Sequence, residues 1–473
     1  MFMIAIEATI VSTAMPRIIA ELGGMHLYSW VFSSFLLAQT ALTVVFGNLA
    51  DIYGRKPVML WGIFLFLVGS LLAGCAWSMY SMIAFRVIQG IGAGAMQPVA
   101  MTIVADLYPA RERGKIQGYL ASVWAVSAVV GPLVGAFIIR HASWAWVFWI
   151  SIPVGIGAAA GFTTFLHDSS EHHGRTIDIA GAISFSIACT ALLFALSELG
   201  SASNGSLLVA AILFLVATTA FVLQERRAVD PMISFAQWSH RPIAATNGAA
   251  VLASMALMGL TTFLPIYVQI VLNRSAIVAG LALTMMLLGW PIGATLAARL
   301  FHRIALRSLL LAGTLLLPAG ASIFVFLTPD SSPVTAGCGS IVMGFGMGLL
   351  SVCSLVLVQE VVDRSQRGSV TASNLFSRNL GSTLGATALG AVLNHGLLQS
   401  MGSRSIGSDQ LRRLLDEPQG AAIAGTSSLR LALQHSLHLT FWAMFVFALL
   451  GFFVALMIPT VNIAAADAQR VDQ

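Results

Sequence analysis

Long apolar runs separated by short polar segments dominate this chain. A run of about 20 apolar residues is long enough to cross the hydrocarbon core of a bilayer as a helix. Runs of this length predict fourteen membrane-spanning helices, and the chain is therefore expected to be an all-α polytopic membrane protein. The predicted spans lie near residues 1–20, 28–50, 58–77, 81–106, 114–140, 145–166, 178–198, 205–224, 240–272, 276–300, 307–327, 333–362, 367–396 and 436–458.

The basic residues between the spans predict the orientation in the membrane. Those in loops after even-numbered spans are Arg55, Lys56, Arg111, Arg113, Lys115, Arg175, Arg226, Arg227, Arg241, Arg299, Arg303, Arg307, Arg364 and Arg367. The short loops on the other side contain only Arg17, Arg140 and Arg274. Because cytoplasmic loops are enriched in Lys and Arg, we expect the first set of loops and both termini in the cytoplasm. The long connection near 397–435 then lies outside.

Composition agrees with this class and excludes several others. Of 473 residues, 58% are hydrophobic and 9% charged, whereas soluble domains carry roughly 25% charged residues. The net charge of +5 lies in short loops, so we expect a lipid bilayer and no nucleic acid as partner. The four cysteines lie inside apolar runs, which predicts neither disulfides nor a metal site. The His172–His173 pair lacks further converging ligands, so no metal is expected there either.

Motifs of catalysis and of nucleotide binding are missing from the sequence. No GxxxxGK[ST], HExxH or GxSxG stretch is present, so we expect no cofactor, no direct use of ATP and no enzymatic activity. A multipass enzyme or receptor would need a catalytic cluster or a sizeable ligand domain. Neither is visible, and a transporter is the favoured class.

Charged residues inside the predicted spans are candidate functional groups, because such charges are costly in a bilayer. Glu7 lies ten positions before Arg17, which places its carboxylate about 15 Å inside the outer boundary. A carboxylate in that setting can take up and release a proton near neutral pH. Arg86 is expected to pair with Glu7 in one state of a cycle. The alternative is a static ion pair that only stabilises helix packing.

Other acidic and basic residues have simpler interpretations. Arg378 begins the small-residue stretch RNLGSTLGATALG (378–390) and either lines a substrate cavity or extends to the cytoplasmic surface from a packing helix. Glu198, Asp106 and Glu360 lie near span ends, where we expect contact with water. Only six residues precede Glu7, so we expect the natural chain to begin further upstream.

A charged turn between the second and third spans predicts a switchable contact. In GNLADIYGRKPVML (47–60), Asp51 can meet a helix N-terminus or a basic side chain such as Arg113. Gly47 and Gly54 allow close approach and a tight turn. We expect a conformational latch formed by Gly47, Asp51, Gly54, Arg55, Lys56 and Arg113.

Two further stretches bear on the organisation of the chain. GATLAARLFHRIALRSLLL (293–311) is similar to the charged turn but has Ala298 where the first copy has Asp51, which indicates a decayed repeat. Repeats place a site at their interface near the bilayer midplane. In GPLVGA (131–136), Pro132 is expected to kink the helix, while Gly131 and Gly135 form a flat face. A simple helix-packing motif explains this stretch almost as well.

Taken together, these motifs resemble those of the major facilitator superfamily, specifically its fourteen-helix drug:proton antiporter branch, of the multidrug and quaternary-ammonium efflux type. The resemblance covers nearly the whole chain. The stretches that carry it are GNLADIYGRK, RVIQGIGAGAMQP (86–98), GPLVGA, IEATIVSTAMP (6–16) and FLPIYVQIVL (263–272). In the family, the Arg of the fourth-helix motif is implicated in proton handling. Glu7 stands where Asp is frequent, and Ala136 replaces the second of the two glycines that usually end the antiporter motif.

The resemblance implies an architecture and a function. We expect an N-terminal six-helix bundle (1–166), two inserted helices (167–235) at the periphery and a C-terminal six-helix bundle (236–473). Such a protein would export small amphipathic, cationic molecules in exchange for protons by alternating access, as a monomer, with or without a periplasmic adaptor. The excess of Arg over Lys and the lack of sorting signals in the sequence favour a bacterial inner membrane. The alternative is a carrier of a metabolite, sugar or siderophore. From the residues themselves, positions that are polar or amphipathic where lipid would favour Leu are candidate cavity residues, although packing alone would justify several: Gln39, Gln89, Trp124, Tyr267, Gln269, Arg378 and Asn379.

Overall fold

The computed structural model describes residues 1–23, 27–166, 178–197, 204–228, 239–300, 303–401 and 427–459. Within these ranges the chain forms fourteen long helices and no strands. They are α1 (Phe2–Leu22), α2 (Tyr28–Tyr53), α3 (Arg55–Gly74), α4 (Met79–Leu107), α5 (Ala110–His141), α6 (Trp146–Phe165, with a break at Ile150), α7 (Ile179–Ser197), α8 (Asn204–Glu225), α9 (Arg241–Ile266), α10 (Ala276–Leu300), α11 (Leu306–Val325), α12 (Pro333–Glu360), α13 (Arg367–Met401) and α14 (Ser427–Leu456).

Each predicted span overlaps one of these helices, and the predicted all-α polytopic architecture is confirmed. Among the described residues, eleven helices are long and apolar enough to cross a membrane, or twelve if the bent α1 is one span. The bend in α1 is 43° and lies between Phe2–Val11 and Thr13–Leu22. Helix α13 is longer than most but carries many Ser, Asn and Gly residues, so it falls outside this set. Helix α5 is also not in this set, and some of its side chains lie outside the described part of the chain.

The connection near 397–435 is shorter than the sequence indicated. Helix α13 continues to Met401 and α14 begins at Ser427, so helical structure extends into both ends of the predicted loop. The apolar run of α14 begins only near Leu431, and its first turn, SSLR, is polar. Hydropathy therefore placed the start of this helix too late.

The helices pack in two groups with an additional pair beside them. In the first group α2 and α3 pack on α4, and α1 packs on α5; in the second, α10 and α11 pack on α12, while α9, α13 and α14 pack on one another. Helices α7 and α8 pack mainly on each other, and α7 touches α2 and α13. The two groups meet along α5–α10 and α2–α13. The division at 1–166, 167–235 and 236–473 stays a prediction.

Glycines bring α10 and α12 into backbone contact. A Cβ atom at Gly293 would overlap the carbonyl oxygen of Phe345, and one at Gly344 would overlap that of Met286. Gly348 lies in the same way against the carbonyl of Trp290. In a bilayer, helices associate through such close van der Waals contact because lipid offers no hydrophobic driving force between them. The contact therefore fixes α10, and with it the position of Trp290.

This contact predicts a difference between two glycines of the same helix. We expect Gly293→Ala to destabilise the protein by about 1–3 kcal/mol, because the added methyl group would push α10 away from α12. The measurement is thermal unfolding of the purified protein in detergent. Gly280→Ala is the matched control, since nothing lies within 4 Å of a Cβ there; it should leave stability unchanged or raise it by up to about 1 kcal/mol. Equal stabilities of the two variants would contradict the prediction.

Candidate functional site

Glu7 of α1 and Arg86 of α4 form a buried ion pair. Nη1 of Arg86 lies 2.5 Å from Oε1 of Glu7, and the two side chains are 2% and 0% exposed. The guanidinium also donates from Nε to the carbonyl oxygen of Val31 at 3.1 Å and lies over the ring of Phe35, 4.3 Å from its centroid. The structure thus brings together the two residues that the sequence proposed as partners, although they are 79 positions apart.

Two polar side chains extend this pair into a small network. Arg86 donates to Oε1 of Gln89 at 2.7 Å, and Nε2 of Gln89 donates to Oγ of Ser70 at 2.8 Å. All four residues are buried. Within the described part of the chain, Oε2 of Glu7 has no hydrogen-bond partner. The carboxylate therefore keeps one oxygen available for a proton or a cation while the other holds Arg86.

Asp51 connects the two helix groups. Its Oδ1 accepts from the backbone N–H of Gly368 at 2.9 Å, and its Oδ2 accepts from that of Ser369 at 2.7 Å. These N–H groups belong to the first turn of α13, where no carbonyl of the same helix can receive them. A carboxylate at a helix N-terminus is also favoured by the helix dipole. Of the two partners proposed from the sequence, Asp51 meets the helix N-terminus and not Arg113.

Further ion pairs surround this contact. Arg55 binds Asp51 at 2.9 Å and Asp106 at 3.0 Å, while Arg367 binds Asp106 at 3.3 Å. Arg113 instead pairs with Glu360 of α12 at 2.5 Å. We call these six residues (Asp51, Arg55, Asp106, Arg113, Glu360 and Arg367) the ionic network, and the end of the bundle that holds them the ionic end.

The ionic network corrects one expectation and adds three residues. Asp106 and Glu360 were expected in contact with water, but their side chains are 8% and 0% exposed. Burial is possible because Arg55, Arg113 and Arg367 neutralise them. The sequence contained a signal for this arrangement: acidic residues end α4 and α12, and basic residues begin the helices that follow. Glu198 and the His172–His173 pair lie outside the described residues.

Glycines explain the close approach at the ionic end. A Cβ at Gly47 of α2 would overlap the Cβ of Ala372 and the carbonyl oxygen of Gly368 on α13. Gly54 has φ = 93°, a conformation that favours glycine, and it allows α3 to begin directly after α2. Lys56 stays within the first group, where it donates to the carbonyl oxygen of Thr163 at 2.8 Å. The second copy of the charged turn offers no carboxylate, since Ala298 is 4% exposed and apolar.

The stretch at 131–136 packs α5 against α1. A Cβ at Gly131 would overlap Oγ1 of Thr9, and one at Gly135 would crowd Ile10 and Thr13. Thr9 in addition donates to the carbonyl oxygen of Ser127 at 3.1 Å. The side chain of Pro132 lies outside the described residues, and the kink expected there stays a prediction. The glycines thus hold α5 against the helix that carries Glu7.

The remaining candidate cavity residues lie in different environments. Gln39 donates to Oε1 of Gln97 at 2.9 Å, and Gln269 donates to the carbonyl oxygen of Pro265 at 3.3 Å. Tyr267 lies in the single π-turn after α9, is 0% exposed and packs against the ring of Phe441, so packing accounts for it in this conformation. The others are Trp124, which is exposed, and Arg378 and Asn379, which are half-buried.

Comparison with known proteins identifies the family. The family profile described as Major Facilitator Superfamily matches residues 1–386. The chain belongs to the Major Facilitator Superfamily. It is 36% identical to the Multidrug resistance protein 3 of Bacillus subtilis over 439 residues, which is 90% of this chain and 85% of that protein. It is 32% identical to the Multidrug transporter protein MdtP of the same organism over 397 residues, 83% of this chain and 73% of the relative.

Solved structures confirm the major facilitator fold. The human organic anion transporter MFSD10 superimposes with a TM-score of 0.66 at 16% identity, over 96% of each chain. The proton:xylose symporter XylE superimposes with a TM-score of 0.62 at 13% identity, over 98% of this chain and 94% of its own. The family match and the two multidrug relatives, and not these distant structures, show that this facilitator is a multi-pass membrane transporter and not an enzyme.

The contacts of Asp51 predict how the ionic end of this facilitator responds to a single substitution. We expect Asp51→Asn to shift the population towards a conformation open at the ionic end by about tenfold or more, because hydrogen bonds to a charged group are lost. The measurement is the distance between spin labels on the exposed positions Leu107 and Asp363, in a variant lacking the four cysteines. Glu112→Gln, an exposed carboxylate beside Arg113, is the control. Unchanged distances with Asp51→Asn would contradict the role of this contact.

Proposed function

We propose that this facilitator is a proton-coupled antiporter that exports small amphipathic molecules, among them lipophilic cations. The observation that carries the proposal is the buried pair of Glu7 and Arg86, with Oε2 of Glu7 unpartnered among the described residues. A buried ionisable group in a transporter is a candidate for ion coupling, because its charge is too costly to keep for packing alone. The multidrug relatives support the substrate class.

The geometry supports competition between a proton and a cationic substrate. A proton on Oε2 of Glu7 would leave the hydrogen bond from Arg86 to Oε1 in place while removing the negative charge. A bound cation would use the same negative charge. A protonated carboxylic acid is neutral and cannot act as the counter-ion of a cation. Binding of the cation therefore expels the proton, and binding of the proton expels the cation. This exclusion is the minimum requirement for antiport.

The contacts between the two helix groups support alternating access as the transport mechanism. We assign the ionic end to the cytoplasm, because its loops are the basic ones, and both termini to the same side. In the conformation described, the ionic network closes that end. Opening it would break the contacts of Asp51 with α13 and of Arg113 with Glu360. The two groups, 1–166 and 236–473, would rock against each other, with the inserted helices of 167–235 beside them.

The position of the chain within its superfamily completes the proposal. Fourteen helices in the places of the fourteen predicted spans favour the fourteen-helix drug:proton branch. The motif residues Gly131 and Gly135 hold α5 against α1, which couples the helix bearing Glu7 to the α5–α10 contact. We place the protein in a bacterial inner membrane and expect it to act as a monomer, with a periplasmic adaptor as an optional partner.

The test is proton release caused by substrate binding. Purified protein in weakly buffered detergent solution receives a lipophilic cation, such as tetraphenylphosphonium, while a pH indicator follows released protons. We expect the wild type to release protons and Glu7→Gln to release none, because the glutamine cannot be protonated in this range. Glu21→Gln is the matched control on the same helix, since that carboxylate is 46% exposed and pairs with Arg17; it should behave as the wild type.

Other outcomes would change the assignment. Undiminished release from Glu7→Gln would move the proton site elsewhere, with Glu198 and Glu360 as the next carboxylates to substitute. No release by the wild type across a panel of cations, from protein with an intact thermal transition, would favour a metabolite, sugar or siderophore carrier.

A further inference from the structure

A second arginine, Arg378, lies on α13 away from both helix ends, and its side chain is half-buried. It is eleven residues beyond Arg367, the first residue of α13, which places it about 16 Å from the ionic end along the helix. Trp290 of α10 lies ten residues before Leu300, the last residue of its helix, or about 15 Å from the same end. The two residues thus share one depth, and the guanidinium of Arg378 lies over the indole of Trp290, 5.5 Å from the ring centroid.

The direction of Arg378 follows from the contacts of α13. Thr371 is seven residues earlier and therefore on the same face of the helix. It accepts a hydrogen bond from Nε2 of Gln359 on α12 at 2.9 Å. Helix α13 also contacts α2 through Ala372 and α9 through Gly381 and Gly385. The guanidinium itself lies over Trp290, so Arg378 points towards α10 and not along the helix to the membrane surface, the alternative considered from the sequence.

Arg378 differs from Arg86 in one respect. Both guanidinium groups lie over an aromatic ring, but Arg86 also binds the carboxylate of Glu7. In the part of the chain that the structure describes, Arg378 makes no ion pair and its guanidinium donates no hydrogen bond to a protein acceptor. A charge at this depth is costly without a counter-ion. The N–H groups of a guanidinium stacked on a ring remain free to bind a carboxylate through two parallel hydrogen bonds.

We propose that Arg378 and Trp290 form a binding site for the carboxylate of an aromatic substrate. The carboxylate takes at Arg378 the place that Glu7 takes at Arg86, and the aromatic part of the substrate packs beside Trp290. The close contact of α10 with α12 at Gly348 holds that indole in position. The inference rests on the proposed function for the transport cycle and extends its substrates from cations to aromatic carboxylates and zwitterions.

Binding of a matched pair of probes tests the site. Calorimetric titration of purified protein with 1-naphthoate and with the neutral 1-naphthamide compares ligands of nearly equal size. We expect the wild type to bind naphthoate more tightly than the amide. Arg378→Gln should weaken naphthoate binding about tenfold to a hundredfold, the value of hydrogen bonds to a charged group, and leave naphthamide binding unchanged. Arg140→Gln, an exposed arginine at the far end of α5, is the control and should bind both probes as the wild type does.

Two further variants separate binding from folding. Arg378→Lys keeps the charge but loses the paired donors, so naphthoate affinity should fall between those of the wild type and Arg378→Gln. Thermal unfolding of Arg378→Gln without ligand should be unchanged or shifted to higher temperature, because a half-buried charge without a counter-ion is removed. The proposal would be overturned if Arg378→Gln unfolded at a lower temperature than the wild type while Arg378→Lys bound naphthoate as tightly as the wild type. This combination would show that Arg378 has a structural role. Equal affinity of the wild type for both probes would overturn it as well.

A lipid head group is the other anion that could bind Arg378, and titration in lipid bilayers of different charge distinguishes it from a substrate. Titration in nanodiscs of phosphatidylcholine, with and without phosphatidylglycerol, should give the same naphthoate affinity; a marked loss in the anionic discs would assign Arg378 to a lipid head group instead.

The anion site is independent of the proton site, so Glu7→Gln should still bind naphthoate. If cations release no protons while naphthoate binding depends on Arg378, antiport fails and the anion site stands; the reverse result rejects only the anion site.

Discussion

A charge inside a bilayer needs a counter-charge, and this requirement organises the structure. Each carboxylate of the ionic network has an arginine within 4 Å, and Asp51 also has the first turn of a helix to receive it. The same holds for Glu7 and Arg86 nearer the opposite end of α4. Separating such a pair leaves an uncompensated charge. When these helices move, each charged group must therefore gain a new partner as it leaves the old one. Entering water is such a partner at the ionic end, and protons and charged substrates are the partners available to Glu7.

Two kinds of contact join the helices: backbone contacts at glycines, and hydrogen bonds between charged groups. Within the C-terminal group, α10 and α12 meet backbone to backbone through glycines, and no side chain can change conformation to loosen that contact. Between the groups, α2 meets α13 through Gly47 and through the charged contacts of Asp51. A contact made of ionic hydrogen bonds can separate when water enters, because water replaces each bond. The α10–α12 contact is therefore expected to stay closed through the cycle, while the α2–α13 contact can separate at Asp51.

The sequence predicted the helices well because the bilayer imposes their length and polarity. It also indicated Glu7, Arg86 and Asp51, because charges and acidic turns are conspicuous in an apolar chain. It did not reveal the partners of Glu360 and Arg113, which are 247 positions apart and meet only through the packing of the two groups. Pairing of this kind depends on the tertiary arrangement, which no local pattern encodes.

The two contacts between the groups are chemically unequal. The α2–α13 contact carries Asp51, whereas the related stretch on α10 has the apolar Ala298 and meets α5 with Gly118 close to Thr295. When helices with an apolar contact slide by a few ångströms, each side chain exchanges one van der Waals neighbour for another and the free energy changes little. A carboxylate that is withdrawn from a helix N-terminus instead loses two hydrogen bonds at once. In the proposed cycle, α5–α10 therefore serves as the pivot and α2–α13 as the switch. Opening the ionic end in this cycle separates the two hydrogen bonds of Asp51 together with the ion pairs of Arg113 with Glu360 and of Arg367 with Asp106, whereas Ala298 contributes no charged contact to α5–α10.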